Sequence, residues 1–258
     1  MDGFEINNIS KVYYDDKQNP LNVLHDISFF WQAEENISII GESGSGKSTL
    51  ARLLIGIENP TDGEILLDDE NIMSWDRRTW RKKRQVIQAV FQDASGTLNP
   101  AMSVYRNVEE ALCNLTDLNK VQRRERIEGL MKLINMDLNL LKVPTRRLSG
   151  GEQRRLSLLR ALAVKPKYLI LDEVTSGLDS IATENVIRTL EKYHQMYGCA
   201  YLMITHDKSI AYRISNRIFE MDKGVLIREA NPIEKMEKKG WIEYEKENFN
   251  THFNSFMR

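Results

Sequence analysis

The sequence is poor in cysteine and contains no long apolar run. Its two cysteines, Cys113 and Cys199, lie far apart and outside any C-x-x-C pair. This argues against a disulfide framework or a zinc site and favours reduced thiols in a cytosolic compartment. No stretch approaches the ~18 consecutive apolar residues that a membrane-spanning helix needs. The N-terminus, MDGFEINNIS, lacks a basic region and an apolar core, so we expect no signal peptide.

Net charge is also nearly absent. Lysine and arginine number 36 against 37 aspartates and glutamates, which gives a formal net charge of −1 over 258 residues. The chain as a whole therefore has no electrostatic attraction to nucleic acid or anionic lipid. The basic run 81–84 is interpreted as a solvated helix face rather than a nucleic-acid patch. If the protein works at a membrane, we expect another chain to supply the membrane span.

Alternating apolar runs and helical spacings predict an α/β fold. Residues 101–147 show helical spacing without a convincing strand, so they predict a mostly helical insertion. The tail after Pro232 is charged and carries aromatics three to five residues apart, which suggests a docked helix. The predicted strands are 4–9, 24–31, 37–40, 64–68, 86–91, 168–171, 200–205, 218–221 and 225–227, and the predicted helices are 49–54, 75–84, 150–164, 181–196 and 208–214.

A glycine-rich loop between a strand and a helix is the strongest motif. Residues 41–48, GESGSGKS, have the G-x-x-x-x-G-K-[ST] spacing of a phosphate-binding loop. Glycines let several backbone N–H groups point into one hollow, and the following helix adds the positive end of its dipole. Its candidate nucleotide-binding residues are Gly41, Ser43, Gly44, Ser45, Gly46, Lys47, Ser48 and Thr49, of which Lys47 reaches the outer phosphates and Ser48 offers its hydroxyl to Mg²⁺.

Two further stretches carry chemistry. The apolar strand 168–171 ends in Asp172 and Glu173, at the strand end where α/β sheets bind ligands. Asp172 suits Mg²⁺, and Glu173 suits a general base that polarises water. Residues 148–153, LSGGEQ, open a helix with a serine and two glycines, which can form a second anion-binding site.

Together these stretches resemble the nucleotide-binding subunit of an ATP-binding cassette (ABC) transporter. LSGGEQ is similar to the family's signature motif, 91–93 (FQD) to its Q-loop, and 176–179 (SGLD) to its D-loop. Thr205-His206-Asp207 resembles the switch-histidine segment, and Tyr13 stands where the family has an adenine-stacking aromatic. The resemblance covers about residues 4–229.

The resemblance implies a P-loop NTPase fold with a RecA-like core, an antiparallel β-subdomain and a helical subdomain at about 101–164, all within 1–231 and followed by the tail 232–258. It implies two subunits facing head to tail, so that each ATP lies between one phosphate loop and the other chain's signature helix. The implied roles are Glu173, His206 and Lys47 in catalysis, Ser48, Gln92 and Asp172 at Mg²⁺, and Tyr13, Gln92, Ser149, Gly150, Gly151, Glu152 and Asp179 around ATP or the facing subunit.

A finer resemblance points to importers. The stretch 90–100, VFQDASGTLNP, is similar to the oligopeptide, dipeptide and nickel importer branch. This branch implies a sister ATP-binding subunit, two transmembrane permeases, an extracytoplasmic solute-binding protein and a place at the cytoplasmic face of the membrane. The chain departs from the branch at Val174, at Gly177 and in lacking a His-Pro-Tyr-Thr segment near its C-terminus. The last departure favours nickel or a metal–chelator complex over peptides.

Three alternatives are weighed against an importer subunit. Exporters usually fuse the cassette to a membrane domain, and the importer-like stretch after Gln92 argues against an exporter. Soluble ABC proteins of translation or DNA repair usually carry two cassettes or a long coiled coil. A GTP-binding switch would need an N-K-x-D motif, but 119–122 (NKVQ) has no aspartate and falls in the helical insertion.

Overall fold

The computed structural model describes residues 2–92, 95–230 and 232. The strands are β1 (Gly3–Tyr14), β2 (Pro20–Gln32), β3 (Ile37–Ile40), β4 (Asp62–Leu67), β5 (Glu70–Asn71), β6 (Ile87–Val90), β7 (Tyr168–Asp172), β8 (Ala200–Thr205), β9 (Arg217–Asp222) and β10 (Val225–Ala230). The helices are α1 (Lys47–Leu54), α2 (Arg77–Lys83), α3 (Val104–Leu115), α4 (Lys120–Leu133), α5 (Gly150–Ala163), α6 (Ser180–Tyr197) and α7 (Lys208–Ile214).

A largely parallel sheet of six strands, in the order β10-β9-β3-β8-β7-β6, forms the centre. Strands β3, β7 and β8 are buried along their whole length, as continuous apolar runs predict. β3, β6, β7 and β8 run parallel, so their carboxyl ends meet at one edge. That edge brings together the loop 41–48 after β3, Gln92 after β6, Asp172 and Glu173 at the end of β7, and His206 after β8.

A second, antiparallel sheet, ordered β2-β1-β4-β5, packs against one face of the first. Phe4 and Trp31 stack with ring centroids 5.4 Å apart, and both rings meet Tyr168 of the central sheet at 5.0 Å. All three side chains are fully buried. Edge-to-face aromatic contacts of this kind join the two sheets into one core.

Helices α3, α4 and α5 lie between β6 and β7 in the chain. Val108, Leu112, Ile127 and Leu156 of these helices share a buried cluster with Leu190 of α6. The helical character predicted for residues 101–147 is therefore confirmed. The exact subdomain limits, 101–164 within 1–231, stay predictions.

Every other predicted strand and helix is also present within a few residues. The short strand β5 and the 3₁₀ turns at Ile72–Ser74, Ser95–Thr97, Leu138–Lys142 and Thr145–Arg147 had no periodic signal to predict them. Asp93 of the predicted Q-loop, and the predicted tail helix after Pro232, lie outside the described residues. No helix in the described ranges is long and apolar enough to cross a membrane.

Candidate functional site

A cavity of about 490 Å³ opens at the carboxyl edge of the central sheet. Its volume is in the usual range for small-molecule sites. Ten predicted site residues line it, and two further residues, Val23 and Ser176, were not among the predicted ones. The predicted lining residues are Gly41, Ser43, Gly44, Gly46, Lys47, Ser48, Thr49, Gln92, Glu173 and His206.

Two glycines of the loop are required by the space around them. A Cβ at Gly41 would lie 2.1 Å from the carbonyl oxygen of Met221, and a Cβ at Gly46 would lie 2.7 Å from Leu24 Cδ2. Gly46 also has a φ of 105°, which side-chain-bearing residues rarely adopt. Gly46 is the N-cap of α1 and provides no side-chain cap. The first N–H groups of α1 therefore remain available to an anion in the cavity.

Lys47 lies folded over the loop that carries it. Its Nζ donates to the carbonyl oxygens of Gly41, at 2.8 Å, and Glu42, at 2.6 Å, and lies 3.3 Å from Ser45 Oγ. Burial lowers the pKa of Lys47, while the nearby carboxylates of Glu173 and Asp172 act in the opposite direction. A buried ammonium bonded to neutral carbonyls is well placed to exchange those partners for phosphate oxygens.

Asp172 provides a buried oxygen without a partner. Its side chain is 4% exposed, and its Oδ1 has no hydrogen-bond partner among the described residues. Burial raises the pKa of Asp172, and a hydrogen bond with Ser48 lowers it. An orphaned carboxylate oxygen beside a hydroxyl is an oxygen donor set that suits a hard divalent cation such as Mg²⁺. The residues present therefore fit the predicted metal.

Glu173 and His206 form a pair on the cavity wall. His206 Nδ1 lies 2.9 Å from Glu173 Oε2 and 3.2 Å from Oε1, within hydrogen-bond distance of both carboxylate oxygens. Glu173 has a φ of 53°, and its N–H donates to Ile204 O of the neighbouring strand at 3.0 Å. The Glu173 side chain is 17% exposed and that of His206 65% exposed. The arrangement holds a base at the wall while leaving the imidazole accessible.

The signature-like segment, 148–153, lies outside the lining of this cavity. Ser149 caps α5: its Oγ accepts from Glu152 N at 3.3 Å and donates to Glu152 Oε2 at 2.8 Å, and its N–H donates to the same oxygen at 2.8 Å. These bonds from Ser149 lower the pKa of Glu152. Ser149 and Gly150 are exposed, and neither they nor Gly151 and Glu152 line the cavity.

Four other predicted residues also lie outside the lining, namely Ser45 and Asp172, whose contacts are given above, and Tyr13 and Asp179. Tyr13 lies in β1, where its hydroxyl bonds to Glu58 and Lys11 Nζ lies 4.9 Å from its ring centroid. Asp179 caps α6 by accepting from Ala182 N at 2.7 Å. The part of Tyr13 in binding adenine and that of Asp179 in contacting a second subunit remain predictions.

A second cavity, of about 430 Å³, is lined by His206 and by Glu184 and Arg213, which belong to an ion-pair network. Arg213 of α7 contacts Glu184 at 2.5 Å and Glu191 at 2.9 Å, both on α6. Hydrogen bonds from Arg213 and then Arg188 lower the pKa of Glu184 to about 2. The network connects the helix that follows the D-loop-like segment to the helix that follows His206.

This network predicts a pH-dependent contribution to stability. A depressed carboxyl pKa stabilises the fold above the unfolded pKa of about 4.5, and that contribution disappears as pH falls toward 2. Because the pair is more than one third exposed, we expect Glu184→Gln to cost only about 1 kcal/mol at pH 7, and less with each step below pH ~4.5. Urea unfolding across this pH range measures the difference. Glu125→Gln, an exposed change on α4, serves as control, and a pH-independent loss in Glu184→Gln would contradict the assignment.

The family model described as "ABC transporter" matches residues 24–176, a range that contains the loop, Asp172 and Glu173. The chain belongs to the ABC transporter family. The chain is 39% identical over 207 residues to a "Nickel import ATP-binding protein NikE" of Brucella suis biovar 1, which covers 80% of this chain and 78% of that relative. The NikE of Escherichia coli O6:K15:H31 is 39% identical over 205 residues, or 80% and 76% of the two chains.

Solved ABC cassettes share the fold. The dimeric structure of MJ0796, "a Bacterial ABC Transporter Cassette", superimposes with a TM-score of 0.82 at 28% identity, covering 89% of this chain and 98% of that one. The cbiO1 protein of Clostridium perfringens, described as part of the transporter complex cbiONQ, gives 0.80 at 28% identity, with 99% and 98% covered. The predicted ABC ATPase fold is confirmed. This ABC chain binds ATP and is an ATPase, as the family and a neighbour solved in a post-hydrolysis state with ADP and Pi support.

Proposed function

We propose that this chain is the ATP-hydrolysing motor subunit of an ABC importer, and that the imported solute is nickel. The cavity at the sheet edge supports the first part, because a buried ammonium and a carboxylate–imidazole pair line it. Asp172, which is hydrogen-bonded to Ser48 of the cavity wall, adds an orphaned carboxylate oxygen behind that wall. The names of the curated relatives support the second part. A metal–chelator complex or a peptide are the alternative solutes.

The residues of this chain divide the work of ATP hydrolysis. Lys47 and the N–H groups at the start of α1 bind the phosphates, and Ser48, Asp172 and Gln92 would hold Mg²⁺. When bound, the metal neutralises charge on the phosphate oxygens. Glu173 accepts a proton from the attacking water, and His206 orients Glu173 through Nδ1. Because His206 is exposed, it can also turn toward the terminal phosphate.

A second subunit is needed to complete the site. Ser149, Gly150 and Gly151 form a helix start that can bind an anion but does not line the cavity of their own chain. A Cβ at Gly150 or Gly151 would meet nothing within 4 Å, so the packing of this chain does not require glycine there. Glycine is also a poor helix former, so two glycines in the first turn bring α5 no stability of their own. Close approach by a phosphate bound to a facing subunit accounts for both glycines.

Gly151→Val tests this arrangement. We expect its fold and ATP affinity to match the wild type, because the new side chain meets no neighbour, while steady-state ATP hydrolysis of the assembled transporter falls at least about tenfold. Gly129→Val is the matched control, since Gly129 is also a helix glycine with no atom within 4 Å of its Cβ. Equal ATP turnover of the two variants would show that the signature helix does not take part in the ATP site.

The partners and location follow from the importer proposal. The chain would work at the cytoplasmic face of the membrane, bound to two permeases, a sister ATP-binding subunit and a solute-binding protein outside. Purifying the assembled transporter from its native membrane and measuring what its binding protein carries tests the solute. Nickel, detected by elemental analysis, is the expected result. If the binding protein carried a peptide or an organic chelator, the proposal of nickel as the solute would be wrong, while the ATPase assignment would stand.

A further inference from the structure

Helix α2 presents four cations on one exposed face. Arg77, Arg78, Arg81 and Lys82 are all exposed. At about 100° per residue, these positions fall within about 140° of the helix circumference. They line neither the ATP cavity nor the small cavity beside Arg84. The face is therefore a charged surface outside the site described above.

The charges on this face are not neutralised by the described chain. Across residues 2–92, 95–230 and 232, no carboxylate lies within ion-pair distance of these four side chains. Several cations on other helices are paired, including Arg124 with Glu128, Arg188 with Glu184 and Arg213 with Glu191. Neighbouring like charges on one helix destabilise it, so an external anion would stabilise α2.

The opposite face of α2 is clamped by aromatic contacts. Trp80 packs on Gly56, where a Cβ would lie 2.0 Å from the indole, and its ring meets Trp75 edge-on at 4.9 Å. Lys83 lies 4.8 Å from the Trp75 ring, and Arg84 lies 4.6 Å from Trp80 and donates to Ile55 O at 2.7 Å. A helix of seven residues is unstable alone, so these contacts fix it. The orientation of the cationic face is fixed with it.

We propose that this face of α2 binds an anionic membrane surface, with lipid headgroup phosphates as counter-charges for the four cations. The inference rests on the proposed function, which brings the chain beside membrane-embedded permeases. Several separate, exposed cations on one helix face suit a plane of mobile headgroups, which adapts to them without shape complementarity. Each basic residue near such a surface contributes about fivefold in affinity. Nucleic acid is the less favoured polyanion, because the chain's net charge of −1 would oppose wrapping a duplex beyond this single face.

Vesicle flotation of the purified full-length chain tests the proposal. We compare vesicles of phosphatidylcholine alone with vesicles in which one third is phosphatidylglycerol. The wild type should bind the anionic vesicles at least about tenfold better, and the difference should shrink as salt rises. Replacing Arg77, Arg78, Arg81 and Lys82 together by glutamine should remove at least about tenfold of that binding. Circular dichroism and ATP affinity should stay unchanged, because none of the four contacts the cavity.

A charge-matched control separates the effect of the α2 face on vesicle binding from the effect of the chain's net charge. Glutamine at Lys17, Lys120, Lys132 and Lys142 removes the same charge from exposed, dispersed positions. This variant should keep wild-type binding within about twofold. Equal losses in both variants, or none in the α2 variant, would overturn the proposal. So would tighter binding to a short RNA duplex, lost in the α2 variant, which would make the face a nucleic-acid surface. The assay contains neither permease nor nickel, so its failure and that of the importer proposal are separate results.

Discussion

Glu173→Gln should lower ATP hydrolysis by about 10²- to 10⁴-fold while ATP binding persists. Glutamine keeps the size of the side chain but cannot accept a proton from water at neutral pH. Glu173 N–H would still bond to Ile204, so the backbone at the end of β7 should remain in place. Rapid-quench or phosphate-release assays on the assembled transporter measure turnover, and equilibrium dialysis with labelled ATP measures binding. ATP should accumulate uncleaved, and the ATP-bound dimer should live longer.

The control is Glu42→Gln, which makes the same change on an exposed carboxylate of the phosphate loop. It removes one negative charge near the phosphates without removing the proposed base. Its turnover should stay within a few-fold of wild type. If Glu173→Gln hydrolysed ATP as fast as the control, another group would have to accept the proton.

Lys47→Met should weaken ATP binding by at least about 100-fold. Methionine has similar length and fills the same space without the charge, so the loss reports the ammonium itself. A charge-assisted hydrogen bond contributes about 1.5–3 kcal/mol, and two or more phosphate oxygens can share this donor. Isothermal titration with ATP in the presence of Mg²⁺ measures the affinity.

Arg52→Met is the matched control on the same helix. Arg52 is half exposed, pairs with Glu58 at 3.8 Å and does not line the cavity. Its loss removes one positive charge from α1 without touching the phosphates, so affinity should fall less than about threefold. Equal losses in both variants would assign the effect to the general field of α1 rather than to Lys47.

The linear pattern predicted the parts of the site that follow strands. The loop 41–48, Asp172, Glu173 and His206 each come directly after an apolar run, and parallel strands bring such ends to one edge. The sequence could not predict Val23, because this residue comes from the antiparallel sheet and reaches the cavity through packing between sheets. Ser176 lay within a quoted motif, but nothing in its spacing distinguished a lining residue from a loop residue.

The fold shows the same division between local and long-range information. Periodicity predicted the strands and helices, since it reports which faces are buried. The contact of Phe4 and Trp31 with Tyr168 joins residues more than 130 positions apart, and no local pattern encodes it. The clamp of α2 likewise depends on Gly56 and Trp80, which meet only in the folded chain. The basic run 81–84 was predicted as a solvated face, and the structure divides it between two exposed and two clamped side chains.

The left-handed backbone at Glu173 has a consequence for how this chain can change. A residue with a Cβ at a φ of 53° costs on the order of 1 kcal/mol relative to glycine. Glycine or asparagine at this position would therefore fold at least as well and hydrolyse little ATP. Selection of random variants for thermal resistance alone should enrich such inactive chains. A screen for a more stable form of this protein therefore has to select for ATP hydrolysis at every round. At residue 173, the substitutions that favour thermal stability are the ones that lower ATP hydrolysis.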